Sequence, residues 1–325
     1  MKQKLFLLTL MVSILIMGCA TTQESNGPSL EEVRLLLPFR PDVQFAPFYV
    51  GMERGYFEDE GLKVTFEHFP ENEAVALVGA GEAAFAVVSG EQVLLARAQD
   101  LPIVYVLAWW QDYPVAVAFP ENSDIQSIED LEGKKIGIPG LYGASYIGFR
   151  ALIGSAGLNE TDLILDSIGY SQVEAMLAGQ EDAVVVYANN EPVQLEAQGL
   201  STRILRVADH VHLASNGLIT NEETIADKPE LIEAMNSAIL KSVEATLADP
   251  SAAFEICKGF VEGLDQANQE VLQQVLERSI AFWEADELGY SELESWENMQ
   301  SILLEMGLLE MELEITQAFT NEFLP

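Results

Sequence analysis

Residues 33–62, VRLLLPFRPDVQFAPFYVGMERGYFEDEGL, contain the strand and the helix that decide the fold. Residues 33–37 form a short apolar run typical of a buried strand, and Pro38 ends it. Pro47 stands where a first helical turn would begin, and Gly55 is a typical helix end. Because the first N–H groups of a helix have no partner within it, they can bind a flat polar ligand. This stretch therefore predicts a binding cleft at the start of the helix.

The rest of the chain alternates between strand and helix patterns. Apolar strand-type runs fall at residues 83–88 and 103–108, and a helical pattern at residues 90–98 separates them. Such alternation is typical of parallel βαβ units. A second series of strands and helices precedes a long helical region that begins at residue 229. The sequence thus predicts an α/β protein with two βαβ lobes, a two-stranded hinge and C-terminal helices.

The candidate site residues follow the predicted strands. Ligands of open α/β sheets bind beyond the carboxyl ends of the strands. The residues at these positions are rich in aromatic and amide side chains, which can stack on a flat heterocycle and bind its edge. The predicted ligand-binding residues are Gln44, Phe45, Tyr49, Ser89, Glu91, Trp110, Tyr142, Gly143, Ser145, Tyr146, Tyr187, Asn190 and Glu191. Adjacent strand residues face opposite sides, so Trp109 and Trp110 need not both line the cleft.

Some of these residues also have a purely structural interpretation. Residues 140–145 could bring the backbone close to a neutral ligand or simply form a turn, and they lack the lysine of a P-loop. Asn190 and Glu191 could cap the helix that begins near Pro192, which is compatible with a ligand contact. Cys257 lies in a helical apolar pattern and is expected to be a buried small hydrophobe.

Residues 44–62 resemble the opening of the periplasmic binding proteins that serve thiamin-precursor, sulfonate and riboflavin ABC importers. The family motifs Gln/His-x-Ala-Pro-x-Tyr-x-Ala and Gly-Tyr-Phe-x-x-x-Gly-Leu are matched by Gln44, Ala46, Pro47, Tyr49, Gly55, Tyr56, Phe57, Gly61 and Leu62. Residues 127–139, SIEDLEGKKIGIP, and 187–192, YANNEP, resemble two further segments of the family. The resemblance implies a type II periplasmic-binding-protein fold. It also implies a substrate-binding lipoprotein whose partners are a small heterocyclic ligand, an ABC permease and its ATPase.

The resemblance leaves the ligand open between two classes. In binders of pyrimidine precursors, the glutamate of Asn-Glu-Pro contacts an aminopyrimidine edge, which implies that role for Glu191. Residues 140–146 and the aromatic cluster at residues 109–113 are more similar to the riboflavin-binding branch. We therefore expect riboflavin, as a transported ligand and not as a cofactor. The alternatives are a thiamin precursor of the formylaminopyrimidine type and a ligand-sensing lipoprotein without a transport role.

The sequence does not predict an enzyme. The eukaryotic pyrimidine synthase that shares ancestry with this family uses an iron-binding cysteine cluster, together with a lysine and a histidine near the third strand. This chain has Val88 and Gln92 at those two positions and contains 2 cysteines in all. His210 and His212 could share a strand face, but no partner with metal-ligand spacing follows, so no metal site is predicted. With 16 basic and 52 acidic residues, the net charge of −36 excludes nucleic-acid binding.

The N-terminus predicts export and lipid attachment. Lys2 and Lys4 precede the uncharged apolar residues 5–17, which are too few for a stable membrane anchor and are typical of a signal peptide. Residues 16–19 resemble a bacterial lipobox, which implies acylation of Cys19, palmitate included. We expect a monomer that the lipid anchors in the cell membrane on its extracytoplasmic side. The predicted boundaries are a signal peptide at residues 1–18, a lipidated tether at 19–32, lobe I at 33–118 and 217–325, and lobe II at 119–216.

Overall fold

Our computed structural model describes residues 30–325, so the predicted signal peptide and Cys19 lie outside the described residues. Within this range, ten strands form two sheets: β1 (Glu31–Leu37), β2 (Leu62–His68), β3 (Phe85–Val88), β4 (Ile103–Ala108), β5 (Val115–Pro120), β6 (Lys135–Ile138), β7 (Ile164–Ser167), β8 (Ala183–Tyr187), β9 (Thr202–Arg206) and β10 (Gly217–Asn221). The α-helices are α1 (Ala46–Glu53), α2 (Tyr56–Asp59), α3 (Glu71–Gly79), α4 (Gly90–Arg97), α5 (Gly143–Ser155), α6 (Gln172–Leu177), α7 (Glu191–Ala197), α8 (Glu222–Asp227), α9 (Pro229–Ala248), α10 (Pro250–Cys257), α11 (Gln269–Ile280) and α12 (Leu293–Glu305).

The sheet of lobe I has the strand order β2-β1-β3-β10-β4. Strand β1 is parallel to β2 and β3, and β10 is antiparallel to β3 and β4. The apolar run of β1 lies inside this sheet, where Leu35, Leu36 and Leu37 are fully buried. Strand β1 starts at Glu31, and both Glu31 and Glu32 pair with β2. The predicted tether at residues 19–32 therefore ends two residues too late.

The sheet of lobe II has the order β7-β6-β8-β5-β9. Strand β6 is parallel to β7 and β8, whereas β5 is antiparallel to β8 and β9. Strand β5 pairs only within this sheet, so the first crossing between the lobes covers residues 109–114 and the second covers residues 207–216. The predicted boundary at residue 118 is therefore too late. The predicted fold of two α/β lobes is confirmed.

The C-terminal helices cover both lobes. Helix α9 packs along α1, and α10 closes the same side of lobe I. Helix α11 contacts residues 43–45 and α7, and α12 contacts α4 and α5. The last two helices thus bridge the lobes, although residues 217–325 were expected to belong to lobe I alone. Cys257 is fully buried, and burial raises the pKa of its thiol to about 12. Between residues 30 and 325, none of the helices has the length and apolar character needed to cross a membrane.

Candidate ligand-binding cleft

The loops after the parallel strands of the two lobes meet across a cleft. Asn189, which follows β8, donates from Nδ2 to Oε1 of Gln44 at 2.7 Å and to Oγ of Ser279 at 2.8 Å. At the mouth of the cleft, the Phe39 ring after β1 lies 5.5 Å from the Tyr170 ring after β7. These contacts join lobe I and α11 to lobe II. The structure is therefore the closed form of a two-lobed protein.

Gln44 lies at the point where the lobes touch. Asp42 is the N-cap of the short 3-10 turn at residues 43–45, and its Oδ1 accepts from both the backbone N–H and Nε2 of Gln44 at 3.1 Å. Burial raises the pKa of the Asp42 carboxyl in spite of these bonds. Since Asn189 donates to Oε1, both ends of the Gln44 amide are engaged by protein. Gln44, which was predicted to bind the ligand edge, thus holds the lobes together in this form.

Three side chains of lobe I form a largely buried acidic group, here called the carboxyl triad: Glu71, Ser89 and Glu91. Ser89 follows β3, Glu91 lies in the first turn of α4, and Glu71 begins α3. The Oγ of Ser89 lies 2.5 Å from Oε2 of Glu71 and 2.6 Å from Oε1 of Glu91. Burial raises the pKa of Glu71, and burial with the nearby charge of Glu71 raises the pKa of Glu91 to about 7. Oε2 of Glu91 is buried and has no hydrogen-bond partner within residues 30–325.

The facing wall in lobe II is formed by the end of β8 and the start of α7. Oε2 of Glu191 accepts from the backbone N–H of Tyr187 at 2.9 Å, and burial raises the pKa of Glu191 to about 7. The Tyr187 ring is partly exposed and lies 6.0 Å from the Trp110 ring, edge to face. Burial and then the charges of Glu71 and Glu91 raise the pKa of Tyr187, so this tyrosine faces the carboxyl triad across the cleft.

Asn190 and the turn before α5 take other positions. Oδ1 of Asn190 accepts from Nε2 of Gln194 at 2.7 Å within α7, and the side chain makes no capping bond to the backbone. Tyr142 is 69% exposed at the mouth, and its ring lies against Gly140. Gly143, at φ 67°, and Ser145 form the first turn of α5. The hydroxyl of Tyr146 donates to Oε2 of Glu160 at 2.6 Å, so it belongs to a network outside the strand ends.

Several predicted aromatic contacts lie in the core. Tyr49 stacks on Phe260 at 4.6 Å and 7°, because α9 and α10 cover the side of α1 that the sequence left open. Its predicted position on the cleft wall is corrected accordingly. Trp109 lies between Phe45 at 5.4 Å and Trp283 at 6.3 Å, both nearly parallel to it. Phe45 is 5% exposed in this stack, so it supports the cleft wall from behind.

Two contributors were not among the predicted residues. Glu71 begins the helix after β2, where an acidic residue is also common for its favourable interaction with the helix N-terminus. Asn189 lies two residues after the end of β8 and is fully buried, with Oδ1 unpaired among the described residues. A strand end followed by a polar residue was the available signal for Asn189. No local pattern separates Glu71 from an ordinary first-turn glutamate.

A cavity of about 380 Å³ opens at the hinge, and Trp110 is part of its lining. Both crossings and residues 285–292 line it, including Gln111, His212 and Glu292. The cleft, in contrast, brings a partly exposed tyrosine together with desolvated carboxyls from both lobes. The chemistry of the cleft residues therefore matches a flat heterocycle with a polar edge better than that of the hinge cavity.

The part of the chain that the structure describes contains no cluster of metal-ligating side chains. No three or more His, Cys, Asp and Glu side chains of residues 30–325 are placed to hold a metal ion together. Nε2 of His212 lies 3.4 Å from Oε2 of Glu292, and Nδ1 of His68 lies 3.2 Å from the carbonyl of Pro38. These histidines thus have structural partners in the described residues.

The comparisons with known proteins agree with this architecture. The profile of the NMT1/THI5-like family matches residues 42–253. The riboflavin-binding protein RibY of Chloroflexus aurantiacus is 34% identical over 346 residues, which cover 100% of this chain and 99% of the relative. The formylaminopyrimidine-binding protein of Halalkalibacterium halodurans is 29% identical, covering 97% of this chain and 98% of that protein.

More distant matches include an enzyme and a solved binding protein. The 4-amino-5-hydroxymethyl-2-methylpyrimidine phosphate synthase of Aspergillus parasiticus is 24% identical, covering 91% of this chain and 88% of the enzyme. The crystal structure of the periplasmic aliphatic sulphonate binding protein SsuA from Escherichia coli superposes with a TM-score of 0.74 at 15% identity, covering 89% of this chain and 97% of that one. The chain therefore belongs to the NMT1/THI5-like family and has the two-lobed fold of periplasmic binding proteins.

Proposed function

We propose that the protein is the substrate-binding component of an ABC importer and that riboflavin is its transported ligand. The observation that carries the proposal is the cleft, in which an aromatic ring and desolvated carboxyl groups converge between two lobes. The full-length similarity to a protein named for riboflavin binding supports riboflavin over other flat heterocycles.

Capture by this protein requires closure of the lobes and no chemistry. A ligand on one lobe completes contacts with the other lobe and so shifts the open and closed populations. The bond between Asn189 and Gln44 at 2.7 Å joins the lobes, so it stabilises the closed form specifically. The closed form then docks on the permease, and lipid on Cys19 keeps the protein at the membrane surface.

A synthase activity of the family is not part of the proposal. The positions aligned with the lysine and histidine of the synthase hold Val88, which is fully buried, and Gln92. Burial raises the pKa of the Cys257 thiol, which opposes the thiolate that a metal or a nucleophilic reaction would need. These residues support a binding role.

A pyrimidine precursor is the second candidate ligand. Glu191 is held by the Tyr187 backbone, and burial raises the pKa of its carboxyl to about 7. A carboxyl that can be protonated near neutral pH can donate to a ring nitrogen and accept from an adjacent amino group. This geometry and the similarity to a formylaminopyrimidine-binding protein favour such a ligand next after riboflavin.

The two ligands can be distinguished with the purified mature protein. Absorbance of the untagged protein reports flavin that co-purifies with it, and calorimetry with riboflavin and with formylaminopyrimidine measures both affinities. We expect tight riboflavin binding with quenching of the flavin fluorescence on stacking. Binding of the pyrimidine alone would replace riboflavin by the second candidate, and binding of neither would refute both.

A further inference from the structure

The carboxyl triad contains more hydrogen-bond acceptors than donors to pair with them. The hydroxyl of Ser89 lies 2.5 Å from an oxygen of Glu71 and 2.6 Å from an oxygen of Glu91. A serine hydroxyl has one hydrogen, so it can donate to only one of the two carboxyl groups. The other carboxyl must carry a proton and donate to the serine oxygen. The two short distances thus require one proton on the pair.

The surroundings place this proton on Glu91. Oε2 of Glu71 also receives the backbone N–H of Ser89 at 3.3 Å, which favours the ionised form of Glu71. Glu91 is fully buried and its Oε2 has no partner among the described residues, which disfavours its ionised form. The triad then has one negative charge, on Glu71, and one buried acceptor without a partner among the described residues, Oε2 of Glu91.

No cation compensates this charge within residues 30–325. None of the ion pairs there involves Glu71, Glu91 or Glu191. The titratable groups that face the triad are three tyrosines, Tyr113, Tyr170 and Tyr187. Arg40 lies at the mouth, exposed and 5.1 Å from the Phe39 ring centre. The interior of the cleft is therefore net negative.

We propose that the carboxyl triad, with one proton and one negative charge, makes the cleft select an uncharged ligand that donates hydrogen bonds over the phosphorylated form of the same ligand. The proposal rests on the proposed function, because it names the class of heterocycle that this site accepts. A free N–H or O–H of the ligand can pair with Oε2 of Glu91. A phosphate ester offers acceptors and carries a charge of about −1.5 to −2, so the triad repels it.

Infrared spectroscopy of the ligand-free protein tests the proton directly. The difference spectrum between the wild type and Glu91→Gln at about pH 6 is expected to contain the C=O band of one protonated carboxylic acid, because the substitution replaces the protonated carboxyl group with an amide. The matched control is Glu73→Gln, which removes an exposed carboxyl group outside the triad. Absence of the protonated band from the Glu91→Gln difference spectrum would overturn the shared proton.

Calorimetry with riboflavin and riboflavin 5′-phosphate tests the selectivity. We expect the phosphate ester to bind the wild type at least tenfold more weakly, and Glu71→Gln to narrow this ratio while Glu73→Gln does not. Equal binding of the two flavins by the wild type would refute the selection. If neither flavin binds, riboflavin is wrong as the ligand. The ratio of the affinities for the free and the phosphorylated ligand is then measured with 4-amino-5-hydroxymethyl-2-methylpyrimidine and its phosphate. The infrared test of the proton does not depend on which ligand binds.

Discussion

Asn189 offers the clearest test of lobe closure, because its side chain bonds to both lobe I and the C-terminal helices. Its Nδ2 donates to Gln44 at 2.7 Å and to Ser279 at 2.8 Å, and the side chain is fully buried. The substitution Asn189→Ala removes both bonds. It leaves the packing of lobe II nearly intact, since the neighbouring strand β8 is held by its own ladder.

The expected size of the effect follows from these two bonds. A buried hydrogen bond contributes a net stabilisation of about 0.5–1.5 kcal/mol, so the closed form loses about 1–3 kcal/mol relative to the open form. That free energy corresponds to a shift of roughly 5- to 150-fold in the equilibrium between open and closed lobes. Ligand affinity falls by the same factor when the ligand-free protein is mainly open, because the bound state requires closure.

Calorimetry and small-angle X-ray scattering measure the two consequences. We expect a larger dissociation constant for Asn189→Ala than for the wild type. We also expect a larger radius of gyration for the variant at ligand concentrations that close the wild type. The matched control is Gln194→Ala, since among the described residues the Gln194 side chain bonds only to Asn190 of its own helix. Unchanged affinity and unchanged scattering for Asn189→Ala would refute the claim that this residue holds the lobes together.

Three further variants test other parts of the structure. If the Tyr187 ring stacks on the ligand, Tyr187→Ala is expected to weaken ligand binding by about 1–3 kcal/mol, by analogy with bases stacked on aromatic side chains. Tyr187→Phe keeps the ring and is expected to keep the affinity measured by calorimetry. Burial raises the pKa of Glu91 from its ordinary 4.5 to about 7, so its stabilising contribution is complete below pH 4.5 and is lost as the pH rises through 7. The Glu91→Gln side chain stays uncharged. Between about pH 5 and about pH 8, the free energy of unfolding measured in urea is therefore expected to fall less for this variant than for the wild type, by up to about 3 kcal/mol. Parallel plots of this free energy against pH for the two proteins would contradict the prediction. Gly90→Ala would place its Cβ 2.5 Å from the carbonyl oxygen of Ala214 in the second crossing and is expected to lower the free energy of unfolding by about 1–3 kcal/mol. Gly259→Ala, whose Cβ would come no nearer than 3.4 Å to a neighbouring atom, should unfold like the wild type.

The fold was predictable because its inner strands are apolar on both faces and the strands are separated by helices with the expected period. The sheet to which a strand belongs was harder to predict. Residues 115–119 form an apolar run that fits either sheet, and only the pairing of β5 with β8 and β9 assigns them to lobe II. Tyr49 was misplaced for a similar reason, since Phe260 and α9, which cover it, lie far from it along the chain.

The cleft was predicted in outline from the strand ends, but the roles of its residues depend on contacts between the lobes. Gln44 belongs to the motif by which the sequence resembles its family, yet both ends of its amide are engaged by Asp42 and Asn189 in the closed form. A residue engaged in this way can support closure on ligands of different shape without choosing among them. The choice then falls to side chains that keep an unpaired atom or a free face, Glu91 and Tyr187 above all. Because closure and ligand selection depend on different residues, residues 44–62 indicate the family while leaving the ligand open. We therefore expect substitutions in the carboxyl triad to alter ligand specificity while the lobes can still close.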